Sequence, residues 1–335
     1  MTKALPMMPP VQYADINGVR MAYYEAGPRT GTPLVLCHGF PELAFSWRHQ
    51  IQALAAAGRW VIAPDQRGYG LTSRPDAVEA YDIEHLTGDL VALLDHLKVE
   101  KAIWVGHDWG GIIVWQMPMR FPDRTAGVIG LNTPFIPRAN ADPIETMRRR
   151  LGEEMYIVHF QKPGEADAVL AKDVAKSMGF FMRRPMADAP AAVGGGATGT
   201  QERAEGESVF PLVKVLEAYD PAFDPRPALL TDEEMTVFVD TFTRTGFTGG
   251  INWYRNFTRN WQRSLDVPDK VTCPSLMIMA EKDAVLPPSA ADGMETFVPD
   301  LERALVLGSG HWTQQEKPDD VNRILVDWLR RRFPQ

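Results

Sequence analysis

Six short apolar runs, rich in Val, Ile and Leu, limit most strongly what this chain can fold into. Their apolar residues are continuous rather than alternating, so each run suits a strand that is covered on both faces, as in a parallel sheet. Between the second and third runs, apolar residues from Ile83 to Leu97 repeat at helical spacing, which predicts a helix joining two strands. The pattern therefore predicts an α/β fold. The six runs are Leu34 to Cys37, Trp60 to Ala63, Ala102 to Val105, Gly127 to Leu131, Ser275 to Met279 and Ala304 to Leu307.

One long stretch interrupts the strand pattern. From residue 135 to residue 261 the periodicity is helical, and the strand pattern resumes after Val271. The chain has 335 residues, which is enough for one large core that carries a sizeable insertion. We therefore predict a core domain of residues 1–134 and 262–335, with a mainly helical domain, residues 135–261, inserted into it.

The sequence has no signature of a bound metal, cofactor or disulfide framework. The glycine-rich stretch 191–199 lacks the Gly-Lys-Ser/Thr that completes a phosphate-binding loop, so we interpret it as a flexible loop. The histidines are scattered, without the paired spacing of a metal site. Cys37 and Cys273, the two cysteines, adjoin apolar runs and are interpreted as small hydrophobic thiols. We expect neither metal nor cofactor.

Charge and hydropathy exclude several classes of partner. A net charge of −8 argues against nucleic acid, because phosphate binding depends on a basic face. No apolar stretch reaches the length of a membrane span, and the prolines near the N-terminus do not fit a signal peptide. We expect a cytoplasmic protein without a membrane or nucleic-acid partner, either a monomer or a homodimer.

The third apolar run leads into the most informative motif. The run continues as Gly106-His-Asp108-Trp109-Gly110 and then into a helix-like stretch. A small-x-X-x-small pattern at a strand-to-helix turn is typical of a nucleophile elbow, here with Asp108 in the place of serine. The alternative is that Asp108 only caps the helix, since Asp is a favoured N-cap residue.

Three motifs together resemble one family. They are Cys37-His-Gly-Phe40-Pro-Glu42, Asp65-Gln-Arg67-Gly-Tyr-Gly70 and Gly106-His-Asp-Trp-Gly-Gly111, and they resemble the α/β-hydrolases, specifically the epoxide hydrolases. The resemblance implies an α/β-hydrolase fold, a mostly parallel sheet flanked by helices with an inserted helical cap. It also implies an oxyanion hole made by the backbone N–H groups of Phe40 and Trp109. For Asp65 and Arg67 we favour a structural turn.

The same resemblance implies a base and an orienting acid, because the family's order is nucleophile, acid, histidine. Asp283 follows the fifth apolar run and fits the acid, and His311 follows the sixth run and fits the base. Each alone could be an ordinary loop residue. Glu281 is a weaker alternative to Asp283, and the loop after the fourth run offers only Asn132, which carries no charge.

An aspartate nucleophile points to attack at a saturated carbon. Such attack forms an alkyl ester on the enzyme, which water activated by a histidine can hydrolyse. An epoxide oxygen then needs a proton donor, and tyrosine, with an ordinary pKa of about 10, stays protonated at neutral pH. The segments around Tyr156 and Tyr254 resemble those that supply two donor tyrosines in epoxide hydrolases. For either tyrosine alone, simple packing is the alternative.

We therefore predict an epoxide hydrolase that converts a small hydrophobic epoxide and water into a vicinal diol. The first alternative is a haloalkane dehalogenase with Trp109 as one halide donor, although no second donor is apparent at Phe40. A fluoroacetate-type dehalogenase would need an Arg soon after the nucleophile, where Gly110, Gly111 and Ile112 stand instead. The second alternative is a non-catalytic ligand receptor on the same fold.

Overall fold

The computed structural model describes residues 7–186, 188 and 208–335. The glycine-rich stretch 191–199, interpreted above as a loop, lies outside the described residues. Within the described part, eight strands form one sheet. They are β1 (Val11–Ile16), β2 (Val19–Ala26), β3 (Leu34–Cys37), β4 (Val61–Pro64), β5 (Ala102–His107), β6 (Thr125–Leu131), β7 (Ser275–Ala280) and β8 (Leu301–Val306).

Helices flank the sheet and fill the segment between β6 and β7. In the described ranges they are α1 (Arg48–Ala56), α2 (Ile83–Leu97), α3 (Trp109–Arg120), α4 (Pro143–Leu151), α5 (Tyr156–His159), α6 (Glu165–Lys172), α7 (Val174–Phe181), α8 (Leu212–Ala218), α9 (Asp232–Thr245), α10 (Thr248–Arg255), α11 (Phe257–Gln262), α12 (Thr313–Glu316) and α13 (Pro318–Arg332). None of the described helices is long and apolar enough to cross a membrane.

The sheet has the strand order β1-β2-β4-β3-β5-β6-β7-β8. Strands β3 to β8 pair in parallel, which confirms the prediction drawn from the six apolar runs. Strands β1 and β2 pair antiparallel and were not predicted. The physical reason is that β1 is largely half-exposed, so its sequence has polar residues among the apolar ones and no continuous run.

Both faces of the sheet are buried from β3 to β7. The edge strand β8 is mostly half-exposed or exposed, so the prediction of burial on both faces is wrong for the sixth apolar run. On one face Leu34 and Val105 pack with Ile51 of α1 and Leu329 of α13. On the other face Val35 and Trp104 belong to a larger core that also contains α2, α3 and the helices between β6 and β7. Because neighbouring residues of a strand point to opposite faces, both must be apolar, and this explains the continuous runs in the sequence.

The helices between β6 and β7 contact the rest of the chain through ion pairs and hydrogen bonds as well as through apolar packing. Arg48 of α1, which is 2% exposed, pairs with Glu234 of α9 at 2.7 Å. The indole N–H of Trp253 in α10 donates to the carbonyl oxygen of Arg67 at 3.1 Å. Asp82, at the start of α2, pairs with Arg259 of α11 at 2.8 Å.

The turn between β5 and α3 is so tight that two positions require glycine. A Cβ on Gly106 would overlap the carbonyl oxygen of Gly110, and a Cβ on Gly110 would overlap that of Cys37 in β3. Between them Asp108 has a φ of +52°, which lies in the left-handed region. This backbone conformation is unfavourable for any residue that has a side chain. The turn therefore brings the ends of β3 and β5 into direct contact around Asp108.

We expect Gly110→Ala to lower the free energy of unfolding by about 3 kcal/mol or more, because backbone must move to admit the methyl group. Urea denaturation followed by circular dichroism measures the change. Gly179→Ala is the matched control, since Gly179 lies inside α7 and a Cβ there meets no atom within 4 Å. The control should leave stability unchanged or raise it by up to about 1 kcal/mol. Equal effects of the two variants would contradict the packing argument.

Candidate active site

Asp108 lies at the carboxyl end of β5, where its side chain turns toward the loop that follows β3. Its carboxylate makes no capping hydrogen bond to α3, so the alternative of a simple helix cap is wrong. Instead, Oδ1 accepts the backbone N–H of Phe40 at 2.7 Å. The approach requires glycine at position 39, where a Cβ would overlap the carboxylate of Asp108. The other carboxylate oxygen, Oδ2, faces His311.

His311 and Asp283 lie beside this carboxylate. The Nε2 atom of His311 is 3.6 Å from Oδ2 of Asp108, and its Nδ1 is 2.9 Å from Oδ2 of Asp283. Asp283 is fully buried, and its Oδ1 accepts the N–H groups of Val285 and Leu286. Parallel strands bring their carboxyl ends to one edge of the sheet, so residues after β5, β7 and β8 meet although they are far apart in sequence.

Electrostatics keep this imidazole charged. Burial alone would lower the pKa of His311, but the carboxylates of Asp283 and Asp108 outweigh it and raise that pKa well above its ordinary value. Burial would raise the pKa of Asp283, but the imidazolium of His311, the Asn132 amide and the N–H of Leu286 lower it below its ordinary value. The arrangement is an imidazolium between two carboxylates.

Of the two expected oxyanion-hole donors, Phe40 is hydrogen-bonded to Asp108 and Trp109 follows Asp108 at the start of α3. Phe40 already donates its N–H to the carboxylate, as described above. Trp109 is the first residue of α3, so its N–H has no acceptor within the helix. A helix N-terminus also favours negative charge. Both amides belong to segments whose backbone is fixed by the contacts of Gly39 and Gly110.

Tyr156 and Tyr254 line the same cavity as Asp108 and His311. The cavity has a volume of about 580 Å³, and much of its remaining wall is apolar, with Phe181 among the residues. The ring centroids of the two tyrosines are 5.8 Å apart. Burial, followed by the charge of Asp108, raises the pKa of each hydroxyl above its ordinary value. No described residue accepts a hydrogen bond from either hydroxyl, so both are available as donors.

Sequence reasoning missed two residues that contact Asp283 or His311. Asn132, dismissed because it carries no charge, donates its Nδ2–H to Oδ2 of Asp283 at 2.7 Å. His107, interpreted as a structural loop residue, has Nε2 2.6 Å from the carbonyl oxygen of His311 and Nδ1 2.8 Å from the buried carboxylate of Glu42. Their positions beside strand ends were the available signal, but only the fold brings them together.

The other candidates have structural roles. Oε2 of Glu281 accepts the N–H of Gly308 at 2.7 Å, and its carboxylate is not a partner of His311. Asp65 accepts backbone N–H groups of two loops, and Arg67 pairs with the buried Asp89 at 2.6 Å, as favoured from the sequence. Among the described residues, no group of three His, Cys, Asp or Glu side chains could hold a metal ion.

We expect the imidazole of His311 to keep its proton at neutral pH in the wild-type protein. In Asp283→Asn it should lose that proton at a lower pH than in the wild type. The reason is that removing one of two neighbouring carboxylates lets burial lower the pKa. Histidine ring signals followed by NMR during a pH titration measure this, with His311→Gln to assign the signal. An unchanged titration in Asp283→Asn would contradict the electrostatic account.

Comparisons with known proteins identify the family of this chain. A model of the alpha/beta hydrolase fold matches residues 32–193. The chain is 45% identical over 326 residues to epoxide hydrolase A of Mycobacterium tuberculosis, covering 96% of this chain and 97% of that protein. It is 40% identical to bifunctional epoxide hydrolase 2 of Mus musculus, over 93% of this chain but only 54% of that larger protein.

Solved structures give the same result. The crystal structure of epoxide hydrolase A from Mycobacterium thermoresistibile superimposes with a TM-score of 0.81 at 42% identity, covering 96% of this chain and 98% of that one. Epoxide hydrolase VrEH1 from Vigna radiata superimposes with a TM-score of 0.83 at 30% identity, covering 98% and 100%. The chain therefore belongs to the α/β-hydrolase fold family and, within it, to the epoxide hydrolases.

Proposed function

We propose that this protein hydrolyses a hydrophobic epoxide to a vicinal diol through a covalent ester on Asp108. Membership of the epoxide hydrolase family supports the overall reaction. The observation that carries the assignment of residues is one cavity lined by a carboxylate, an imidazole and two tyrosines. In it a nucleophile, a base and proton donors all have access to one substrate.

In the first step, Oδ2 of Asp108 attacks a carbon of the epoxide ring while Oδ1 stays bonded to the N–H of Phe40. A carbon–oxygen bond to the carboxylate forms, and the ring carbon–oxygen bond breaks. The released oxygen takes a proton from Tyr156 or Tyr254. Both hydroxyls are protonated before the reaction because their pKa is raised, partly by the charge of Asp108. Once Asp108 is an ester, that charge is gone and the proton is easier to give.

The same loss of charge prepares the second step. His311, now beside a neutral ester, keeps only Asp283 as a charged partner, so its pKa falls and its proton restores the tyrosine. The neutral imidazole then takes a proton from water as the hydroxide attacks the carbonyl carbon of the ester. The N–H groups of Phe40 and Trp109 stabilise the oxyanion that forms. Collapse releases the diol, whose oxygen takes the acid proton and leaves Asp108 ionised.

We further propose that residues 135–261 form a cap domain on a core of residues 1–134 and 262–335. Support comes from the tyrosines, since Tyr156 begins α5 and Tyr254 lies in α10, whereas Asp108, Asp283 and His311 follow strands of the sheet. The substrate then binds between the two parts, where apolar walls exclude bulk water. We infer a cytoplasmic enzyme that works as a monomer or homodimer, and the two free cysteines fit a reducing compartment.

The dehalogenase and receptor alternatives have weaker support. A halide would need a second side-chain N–H beside Trp109, and the side chain of Phe40 supplies only an aromatic ring there. A receptor would not need a carboxylate, an imidazole and a second carboxylate in line, which is the arrangement that covalent catalysis requires.

We expect the purified protein to convert styrene oxide to its diol without added metal or cofactor, and Asp108→Ala to form none above the uncatalysed rate. The mutant lacks the carboxylate that forms the ester. Diol is measured by chromatography, and bromide release from 1-bromobutane is measured in parallel. Bromide without diol would favour the dehalogenase, and neither product from a panel of epoxides would favour the receptor.

We expect Tyr156→Phe and Tyr254→Phe each to slow formation of the Asp108 ester roughly 100-fold, because each removes a proton donor to the epoxide oxygen. Ester hydrolysis should change little. Single-turnover quench and mass spectrometry of the Asp108 peptide measure both steps. Tyr219→Phe is the matched control, since the Tyr219 hydroxyl donates to Asp224, away from the cavity wall. A slower hydrolysis step with unchanged ester formation would contradict the assignment.

A further inference from the structure

Glu316 holds the backbone on both sides of His311. Its Oε2 accepts the N–H of Gly310 at 2.8 Å, and its Oε1 accepts the N–H of Trp312 at 2.9 Å. The residue is only 6% exposed, and its carboxylate folds back from the end of α12. One side chain thus fixes two of the peptide groups that determine where the imidazole lies.

Keeping a carboxylate at this position costs free energy. Burial raises the pKa of Glu316, and the two backbone N–H groups offset only part of that desolvation. A neutral side chain at position 316 would avoid this desolvation cost. The presence of a carboxylic acid there therefore needs another explanation. An ionised carboxylate accepts shorter and stronger hydrogen bonds from backbone N–H groups than a neutral side chain does.

The end of α7 holds the same loop from the opposite side. The indole N–H of Trp312 donates to the carbonyl oxygen of Phe181 at 2.7 Å. The guanidinium of Arg184 donates to the carbonyl oxygen of Glu316 at 2.9 Å. The loop therefore has hydrogen bonds to the inserted helices as well as to the core.

The other contacts around His311 hold its ring and the neighbouring carbonyl groups, and the two backbone N–H groups are held by Glu316. Asp283 orients the ring through Nδ1, and His107 contacts the carbonyl oxygen of His311. His107 thereby restrains the peptide group after His311, and the Thr313 hydroxyl restrains the one before it by donating to the carbonyl oxygen of Gly310 at 2.9 Å. A shift of about 1 Å in a catalytic group is enough to slow a reaction strongly.

We propose that Glu316 is a positioning residue for His311, which it holds in place to activate the hydrolytic water. This rests on the proposed function of His311 as the base. Ester formation does not use that base, because Asp108 is already ionised when it attacks. Loss of Glu316 must therefore slow hydrolysis of the ester and leave its formation unchanged, whereas a general loss of stability would not separate the two steps.

The experiment compares the full-length wild type with Glu316→Gln in single turnover of styrene oxide. The Gln amide has one acceptor oxygen, so one backbone N–H beside His311 loses its partner. Ester on the Asp108 peptide is followed by rapid quench and mass spectrometry. We expect a roughly tenfold lower rate constant for hydrolysis, accumulation of ester and an unchanged rate constant for its formation.

Glu281→Gln is the matched control. Glu281 accepts the N–H of Gly308 in the same loop at 2.7 Å, but that group is three residues before His311. The control should keep both rate constants even where its melting temperature falls. Equal slowing of both steps in Glu316→Gln, or no slowing, would overturn the proposal.

Two further variants keep the test decisive. If Glu316→Gln does not fold, Glu316→Asp keeps the charge on a shorter side chain and should slow hydrolysis selectively but less. Equal slowing of both steps there would also overturn the proposal. His311→Gln tests the proposed function separately, because it should trap the ester whatever Glu316 does. Absence of ester in His311→Gln would refute the covalent mechanism rather than the role of Glu316.

Discussion

The hydrogen bond from the Phe40 N–H to Asp108 is the interaction on which the rest of the site depends. It exists because Gly39 has no side chain and because Gly110 lets α3 begin against the end of β3. The same close contact fixes the backbone of Phe40, the proposed first oxyanion-hole donor, and the direction of Asp108, the proposed nucleophile. In water such a bond would be worth little, but in a buried cavity the donor is oriented before the reaction begins.

Charge balance then links the two chemical steps. The charges of Asp283 and Asp108 both raise the pKa of His311 against the effect of burial, so the loss of either charge lowers that pKa. In the proposed mechanism, forming the ester removes one of those charges. The enzyme then needs no conformational change to convert His311 from a charged partner into a base, since the reaction itself lowers its pKa. The charge of Asp108 also raises the pKa of Tyr156 and Tyr254, so its loss lowers the pKa of both hydroxyls.

A buried polar network joins these catalytic loops to the helices between β6 and β7. Glu42 contacts His107, accepts the N–H of Gly39 at 3.1 Å and accepts the side-chain amide of Gln315 at 3.2 Å. Gln315 in turn accepts from Arg48, which pairs with Glu234 of α9. Groups that are buried and hydrogen-bonded in this way rigidify their surroundings, because leaving any one unpaired is costly. The network therefore couples the position of the helices to the geometry around Asp108.

The sequence by itself determined the parallel part of the sheet and the order of the motifs at its strand ends. Continuous apolar runs leave few options other than strands buried on both faces, and the elbow glycines leave little choice of turn. The polar edge strand β1 gave no such signal, because a half-exposed strand tolerates mixed residues.

Only the tertiary structure decided which side chains meet. Asn132 bonded to Asp283 and Glu316 bonded on both sides of His311 follow from strand order and loop path, which no local pattern encodes. A hydrogen bond depends on tenths of an ångström between residues far apart in the chain, whereas burial of an apolar run depends only on its composition. For that physical reason the fold could be predicted from the sequence, and the family resemblance implied the pair of Asp283 and His311, but the contacts of Asn132 and Glu316 could not be predicted.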